Sequence, residues 1–205
     1  VTDSQKELNQ AMDDTFKIAQ NTGSAWDSVA MVYQRFADNA DRLGISMSKT
    51  AELTETVSKA IAISGGNAAS AEAALTQFGQ ALASGVLRGE EFNSIAEQAP
   101  GLLKAIAFGM GVNIGELRSM AAEGKITGDA LVDALTKAQP HIDDLFSKTD
   151  FTIGNSLTQL SNAVTQFIGE AGKGSGAASL LSESISGLAR NLGTVADIAV
   201  VGGVA

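Results

Sequence analysis

Apolar residues recur every three or four positions along most of this chain, which is the spacing of one face of an α-helix. Glycine or proline follows most of these apolar stripes, as it does at helix ends. No stretch alternates apolar and polar residues for long enough to predict a β-strand. We therefore expect an all-α fold, a compact multi-helix bundle with short glycine or proline corners. The stripes lie within 8–19, 29–43, 53–61, 71–82, 92–99, 102–110, 117–121 and 131–138, and the last is expected to stop at Pro140.

The pattern Gly-x-x-x-Gly-acid occurs three times within 45 residues. We expect the first glycine of each copy to take the left-handed conformation that ends a helix. The second glycine then falls near the start of the next helix, and the acid falls in its first turn, where the helix dipole favours negative charge. The three copies are Gly85, Gly89 and Glu90, then Gly111, Gly115 and Glu116, then Gly124, Gly128 and Asp129.

An apolar residue between the two glycines is expected to anchor each of these glycine corners on the core. Leu87 and Ile126 occupy matching positions in the first and third copies, and Ile114 lies one position later in the second. We expect Glu90 to begin the helix after the first corner and Pro100 to end it. The stretch SGVLRGEEFNSIAEQAPGL is therefore interpreted as a structural corner.

The composition after Asp150 differs from that of the preceding chain, since residues 151–205 carry only five charged side chains. We expect a helical module over 1–150 and a looser two-helix segment over 151–205. The first of the two helices has an apolar stripe within 153–167, and the second has a heptad-like seam that is a candidate interaction surface. Its partner could be the 153–167 helix, another copy of the chain or an enclosing protein wall. The seam residues are Leu181, Ile185, Leu188, Leu192 and Val195.

The two ends of the sequence suggest a fragment of a longer protein. The chain begins with Val1, shows no signal peptide, and ends in the apolar run IAVVGGVA. That run is too short to span a bilayer. It could be the start of a membrane-spanning segment, in which case membrane contact lies only beyond the C-terminal end, or it could be a helix end that packs on another part of the protein.

Charge and composition argue against several classes of function. The net charge is −9, and no basic cluster offsets it, so direct binding of nucleic acid is not expected. The chain has no cysteine and a single histidine, His141, which excludes thiolate and multi-histidine metal sites. We interpret His141, which follows Pro140, as a surface residue at a helix start.

The glycine-rich and acidic stretches carry little support for catalysis. SGVLRGEE has no preceding strand and holds acids where a phosphate would bind, and GEAGKGSG lacks the spacing of a phosphate loop. Glu90, Glu91 and Glu97 could in principle serve glycoside hydrolysis, but nothing places one of them in an apolar pocket. We therefore expect no cofactor, no metal and no enzymatic activity.

Four motifs follow one another along the chain, namely AISGGNAASAEAAL with LTQFGQALASG, then LRGEEFNSIAEQAP, then GVNIGELRSMAAEGKIT, and then TIGNSLTQLSNAVTQFIGEAG. In this order they resemble the N-terminal region of tailed-phage tape measure proteins, and the resemblance runs from about residue 44 to residue 192. Residues 1–43 match only in helical character.

The resemblance implies a structural virion protein that acts in tail assembly and sets tail length from the lumen of the tail tube. It implies partners among tail tube, tail tip and assembly chaperone proteins, and the heptad-like seam leaves self-association open. The implied location is the virion tail, with the host cytoplasm as the place of assembly. We expect this region to be a docking or initiation module. The alternatives are a helical adaptor for an assembly chaperone or a tail-tip protein, and a module that degrades the cell wall.

Overall fold

A computed structural model describes residues 2–150 and 153–171 of the chain. These residues form ten α-helices and two very short β-strands, which confirms the predicted all-α class. The elements are α1 (Thr2–Thr22), α2 (Trp26–Asp38), α3 (Ala40–Leu43), α4 (Met47–Ala62), α5 (Ala68–Ser84), β1 (Val86–Leu87), α6 (Gly89–Gln98), α7 (Pro100–Met110), α8 (Ile114–Ala122), β2 (Ile126–Thr127), α9 (Gly128–Ser147) and α10 (Ile153–Ala171).

Side-chain oxygens cap the first turns of several helices. Ser46 Oγ accepts a hydrogen bond from the Lys49 N–H at 3.2 Å, and Asn67 Oδ1 accepts one from the Ser70 N–H at 2.9 Å. Such caps satisfy backbone donors that have no partner inside the helix, which explains why α4 and α5 begin where they do.

Helix α4 is the central helix, since α1, α2, α5, α7 and α9 all pack against it. Its buried positions include small hydroxyl residues such as Thr54 and Thr56 beside Leu53 and Val57. The Thr54 hydroxyl donates to the Thr50 carbonyl at 2.8 Å, so a buried polar atom is satisfied within its own helix. Small side chains let five neighbours approach one helix closely.

The main core of the described residues is aliphatic with a few aromatic rings. Phe36 and Phe78 join α2 to α5, with ring centroids 5.9 Å apart, and Phe92 of α6 is fully buried. A smaller cluster of Ile18, Ala19 and Val29 joins α1 to α2.

Two details of the helices differ from the sequence-based expectations. The stripe at 29–43 forms two helices, because the backbone breaks at Asn39, whose side-chain N–H donates to the Arg35 carbonyl at 2.8 Å. The predicted stop at Pro140 is wrong, since α9 continues through it to Ser147. Ala138 and Ile142 on either side of Pro140 are buried, and this packing outweighs the roughly 3 kcal/mol penalty of a proline inside a helix.

Contacts divide the chain into two compact units, Val1–Asn162 and Ala163–Ala205. Of the second unit, the structure describes only 163–171, which continue α10. The predicted division into 1–150 and 151–205 stays a prediction.

Candidate functional site

The first glycines of the three corners all have positive φ. The values are 81° at Gly85, 69° at Gly111 and 67° at Gly124. Gly85 ends α5 and Gly111 ends α7, while Gly124 follows the last residues of α8. An L side chain is disfavoured in this conformation, so glycine is the residue that lets the chain reverse at each point.

The first and third corners pair with each other. Leu87 lies opposite Ile126 in the antiparallel β1–β2 ladder, and the Gly128 N–H donates to the Gly85 carbonyl at 3.0 Å. Leu87 and Ile126 are both fully buried. In the second corner Ile114 is 37% exposed, so the expectation for Ile114 is wrong, and the apolar residue that packs against the core there is the partly buried Val112.

The residues that begin the next helices lie close to the predicted places. Gly89 and Gly128 are the first residues of α6 and α9, and Gly115 is the second residue of α8. Glu90, Glu116 and Asp129 lie in the first turns of these helices, and Pro100 is the first residue of α7.

The carboxylates at these helix starts make different contacts. The Asn113 N–H donates to Glu116 Oε2 at 3.0 Å, and the Glu116 N–H donates back to Asn113 Oδ1 at 2.9 Å, which forms a capping box. In the first corner the Arg88 N–H donates to Glu91, at 3.2 Å, rather than to Glu90. Glu90 and Glu97 are exposed on α6, which places them outside any apolar pocket.

The described residues line an open pocket of about 380 Å³ beside the α1–α2 turn, the α4–α5 corner, the end of α9 and the start of α10. Its lining includes Glu72, Asp150, Gly65 and Gly66. None of the predicted carboxylates Glu90, Glu91 and Glu97 is among the residues that line it.

An exposed aromatic side chain lies where α7 meets α9. Phe108 is 54% exposed, and its ring stacks on the His141 imidazole with centroids 4.4 Å apart and planes 17° from parallel. Leu145, one turn after His141 on the same face of α9, is 36% exposed. We call Phe108, His141 and Leu145 the aromatic face. His141 is at the surface, as expected, but it lies inside a helix rather than at the start of one.

A close helix crossing brings the two sides of the aromatic face together. A Cβ atom on Gly109 would lie 2.7 Å from Cα and 2.5 Å from the carbonyl carbon of Ala134, and closer still to the carbonyl oxygen. Only a residue without a Cβ permits this contact between α7 and α9. The neighbouring Phe108 therefore reaches His141, which lies two turns after Ala134 on α9.

The aromatic face was not predicted from the sequence. One signal was present, because Phe108 falls outside the stripe of Leu102, Ile106 and Met110 and so lies on another side of α7. The predicted seam, Leu181, Ile185, Leu188, Leu192 and Val195, lies outside the described residues and stays a prediction.

The described part of the chain holds neither a metal-binding cluster nor a membrane-spanning helix. No group of three or more His, Cys, Asp or Glu residues could hold a metal ion there. No described helix is both long enough and apolar enough to cross a membrane.

Comparison with known protein families gives one match. A family model described as "Tape measure protein" matches residues 1–173, which is most of the 205-residue chain. No curated protein and no solved structure matches the chain. The family match confirms the resemblance that the sequence motifs indicated.

Proposed function

Because the chain belongs to the tape measure protein family, we propose that its folded helical part is a docking module that acts when tail assembly begins. Membership of this family makes the chain a structural phage tail protein that interacts with other tail components. The proposed partners are the tail tube, the tail tip and an assembly chaperone. The proposed place of this step is the host cytoplasm, before the protein becomes part of the virion tail.

The fold supports docking rather than length measurement for these residues. A ruler built from one extended helix gains 1.5 Å per residue. The longest described helix, α1, has 21 residues and spans about 32 Å, and the chain reverses repeatedly at positive-φ glycines. Residues folded back in this way add little length. We propose that tail length is set by other parts of the protein.

The aromatic face is the surface that we propose for docking. Phe108 is 54% exposed, and its ring stacks on the His141 imidazole. Aromatic side chains, Phe included, are enriched at the centres of protein interfaces. The single observation that carries the proposal is this exposed, stacked ring where α7 and α9 cross closely.

Tail assembly with a Phe108→Ala variant tests the proposal. We expect fewer complete tails in electron micrographs, with the melting temperature changed by only a few degrees, because the side chain is already half exposed. Leu8→Ala is the matched control, since Leu8 is 53% exposed on α1, outside the aromatic face. Normal tail numbers with Phe108→Ala would refute this docking surface, as would an equal loss with Leu8→Ala.

A further inference from the structure

The first half of α10 is attached to the body by side-chain amides. Asn162 donates to the Ser24 carbonyl at 2.8 Å and accepts from the Trp26 backbone N–H at 3.1 Å. Gln159 donates to the Gln20 carbonyl at 2.6 Å, and the Gln20 side chain donates to the Gln159 carbonyl at 3.0 Å. These groups line the helix side that meets the end of α1 and the α1–α2 turn.

Asn155 extends the same row of amides. Its side chain donates to the Gly23 carbonyl at 3.4 Å. Asn155, Gln159 and Asn162 are spaced four and three residues apart, so they share one face of the helix. The periodicity of the apolar residues alone does not reveal this face.

The apolar residues of the same helix segment face away from the body. Leu157 is 50% exposed and Leu160 is 38% exposed. Among the described side chains of 154–162, Asn162 is the one that is buried. The segment therefore adds a buried amide, rather than a buried apolar side chain, to the packing of the unit.

This arrangement makes the attachment of the segment weaker than the attachment of the core helices. Burial of apolar area is the main source of stability, whereas a hydrogen bond to protein largely replaces one to water. Helices such as α4 and α7 bury whole leucine and isoleucine side chains, and 154–162 do not. Regions with few buried apolar contacts open at lower free energy than the rest of a protein.

We infer that residues 154–162 form a detachable strap, which undocks from Gln20–Trp26 as a unit while α2 to α9 stay folded. Undocking exposes the carbonyls of Gln20, Gly23 and Ser24 and the N–H of Trp26, so the strap covers a row of backbone groups that can bind other amides. The inference goes beyond the proposed docking function and does not depend on it.

The chain contains its own reporter for this opening. Trp26 is the single tryptophan, and its backbone N–H bonds to the strap. Its indole N–H donates to Thr15 Oγ1 at 3.0 Å, and its ring packs edge-on against Phe16 with centroids 5.3 Å apart. Release of Asn162 removes one of the groups that hold this residue, so tryptophan fluorescence should change when the strap opens.

The test compares the 205-residue chain with its Gln159→Ala and Asn162→Ala variants by hydrogen–deuterium exchange and tryptophan fluorescence. Alanine raises helix propensity, so neither change weakens the helix itself. We expect the backbone amides of 157–162 to exchange at least about tenfold faster in Asn162→Ala, which loses two side-chain hydrogen bonds to the body. The increase should be smaller in Gln159→Ala, which loses one. The change in Trp26 fluorescence should likewise be larger in Asn162→Ala than in Gln159→Ala.

The exchange of α4 and α7 distinguishes a detachable strap from ordinary core. We expect their amides to change by less than about twofold in both variants, as they should in the control Gln80→Ala, which alters an exposed amide of α5. Equal acceleration in α4, α7 and the strap would overturn the inference. Unchanged strap exchange in Gln159→Ala and Asn162→Ala would overturn it as well. If Asn162→Ala fails to fold, the strap is part of the core and the inference is wrong.

Discussion

Replacing Gly109 with alanine gives the sharpest test of the packing described above. Gly109 lies inside α7 with ordinary helical backbone, so propensity alone predicts that Gly109→Ala stabilises the protein by about 1 kcal/mol. The helix crossing predicts the opposite, because the new Cβ would lie 2.5 Å from the carbonyl carbon of Ala134. Helix propensity and the close crossing predict stability changes of opposite sign, so one measurement of the free energy of unfolding decides between them.

The size of the effect follows from the distance that α7 and α9 must separate. Ordinary contacts to a Cβ begin near 3.4 Å, so the helices must move apart by at least about 1 Å at the crossing. A gap of that size removes a quarter to a half of the attraction between facing atoms, and overpacked cores typically lose about 1–3 kcal/mol or more. After the gain in propensity, we expect a net loss of about 2 kcal/mol, which corresponds to roughly 4–8 °C in a chain of this length.

Two control variants identify the cause of this loss. Gly111→Ala changes a positive-φ glycine with open space around it, and we expect it to lower stability by about 1 kcal/mol. Combining Ala134→Gly with Gly109→Ala should not restore stability beyond the effect of Ala134→Gly alone, since the clashing atoms of Ala134 are backbone atoms. Urea denaturation followed by far-ultraviolet circular dichroism measures all of these variants. A Gly109→Ala protein as stable as the parent would refute the close crossing.

The other predictions concern one corner and two titratable groups. Gly85→Val should lower the free energy of unfolding by more than about 1 kcal/mol, because a β-branched residue fits φ of 81° poorly, and an unchanged urea midpoint would contradict this. Tyr33→Phe should leave stability unchanged or raise it by up to about 1 kcal/mol at neutral pH, since the buried Tyr33 hydroxyl has no hydrogen-bond partner among the described residues. Burial, and then the charge of Asp14, raise the pKa of Tyr33 above 10.0, so the folded chain holds this proton more tightly and stability falls as pH rises through the raised pKa. In Tyr33→Phe the free energy of unfolding should fall less steeply as the pH rises through this alkaline range, and equal pH slopes in the two proteins would contradict the raised pKa of Tyr33. Burial alone would lower the pKa of Lys59, but its hydrogen bond to Asp143 at 2.7 Å helps raise this pKa above 10.5. The charged Lys59 therefore stabilises the folded chain fully at neutral pH, and this stabilisation is lost as the pH rises through the raised pKa. Lys59→Met should therefore lower stability by about 1 kcal/mol in low salt and by less in high salt, and a loss that ignores salt would argue against the ion pair.

Local rules account for most of the helices and for their ends. The left-handed glycine that ends a helix needs only its own backbone and the preceding turn, so a single sequence reveals it. Gly85, Gly111 and Gly124 are such residues, and each has the positive φ that its position in the repeat indicates. The all-α class followed from the same local periodicity.

The pairing of the first and third corners could not be read from the sequence. Val86–Leu87 and Ile126–Thr127 are strands of two residues, and two residues show no alternation. Their partners are far apart in the chain, so the contact depends on how the intervening helices pack. The Gly-x-x-x-Gly-acid repeat nevertheless identified Leu87 and Ile126, which face each other in this pair of strands, as anchors of their corners.

Close crossings and polar contacts also escape a search for apolar stripes. Gly101 is one example, because a Cβ on it would lie 2.7 Å from the Ser64 hydroxyl, which accepts the Gly101 N–H at 2.9 Å. The stripe within 153–167 predicted α10 correctly, but its leucines at 157 and 160 are exposed and its amides face the body. Helical period identifies a helix without identifying the side that packs.

The continuation of α9 through Pro140 connects the wrongly predicted helix end at this proline to the proposed docking surface. Had the helix stopped there, neither His141 nor Asp143 would lie on α9, and the stack with Phe108 and the ion pair with Lys59 would be lost. A local penalty of about 3 kcal/mol was overcome because Ala138 and Ile142 pack into the core on both sides of the proline. The surface that we propose for docking therefore depends on tertiary packing at the point where the local rule fails, which is why this surface could not be predicted from the sequence.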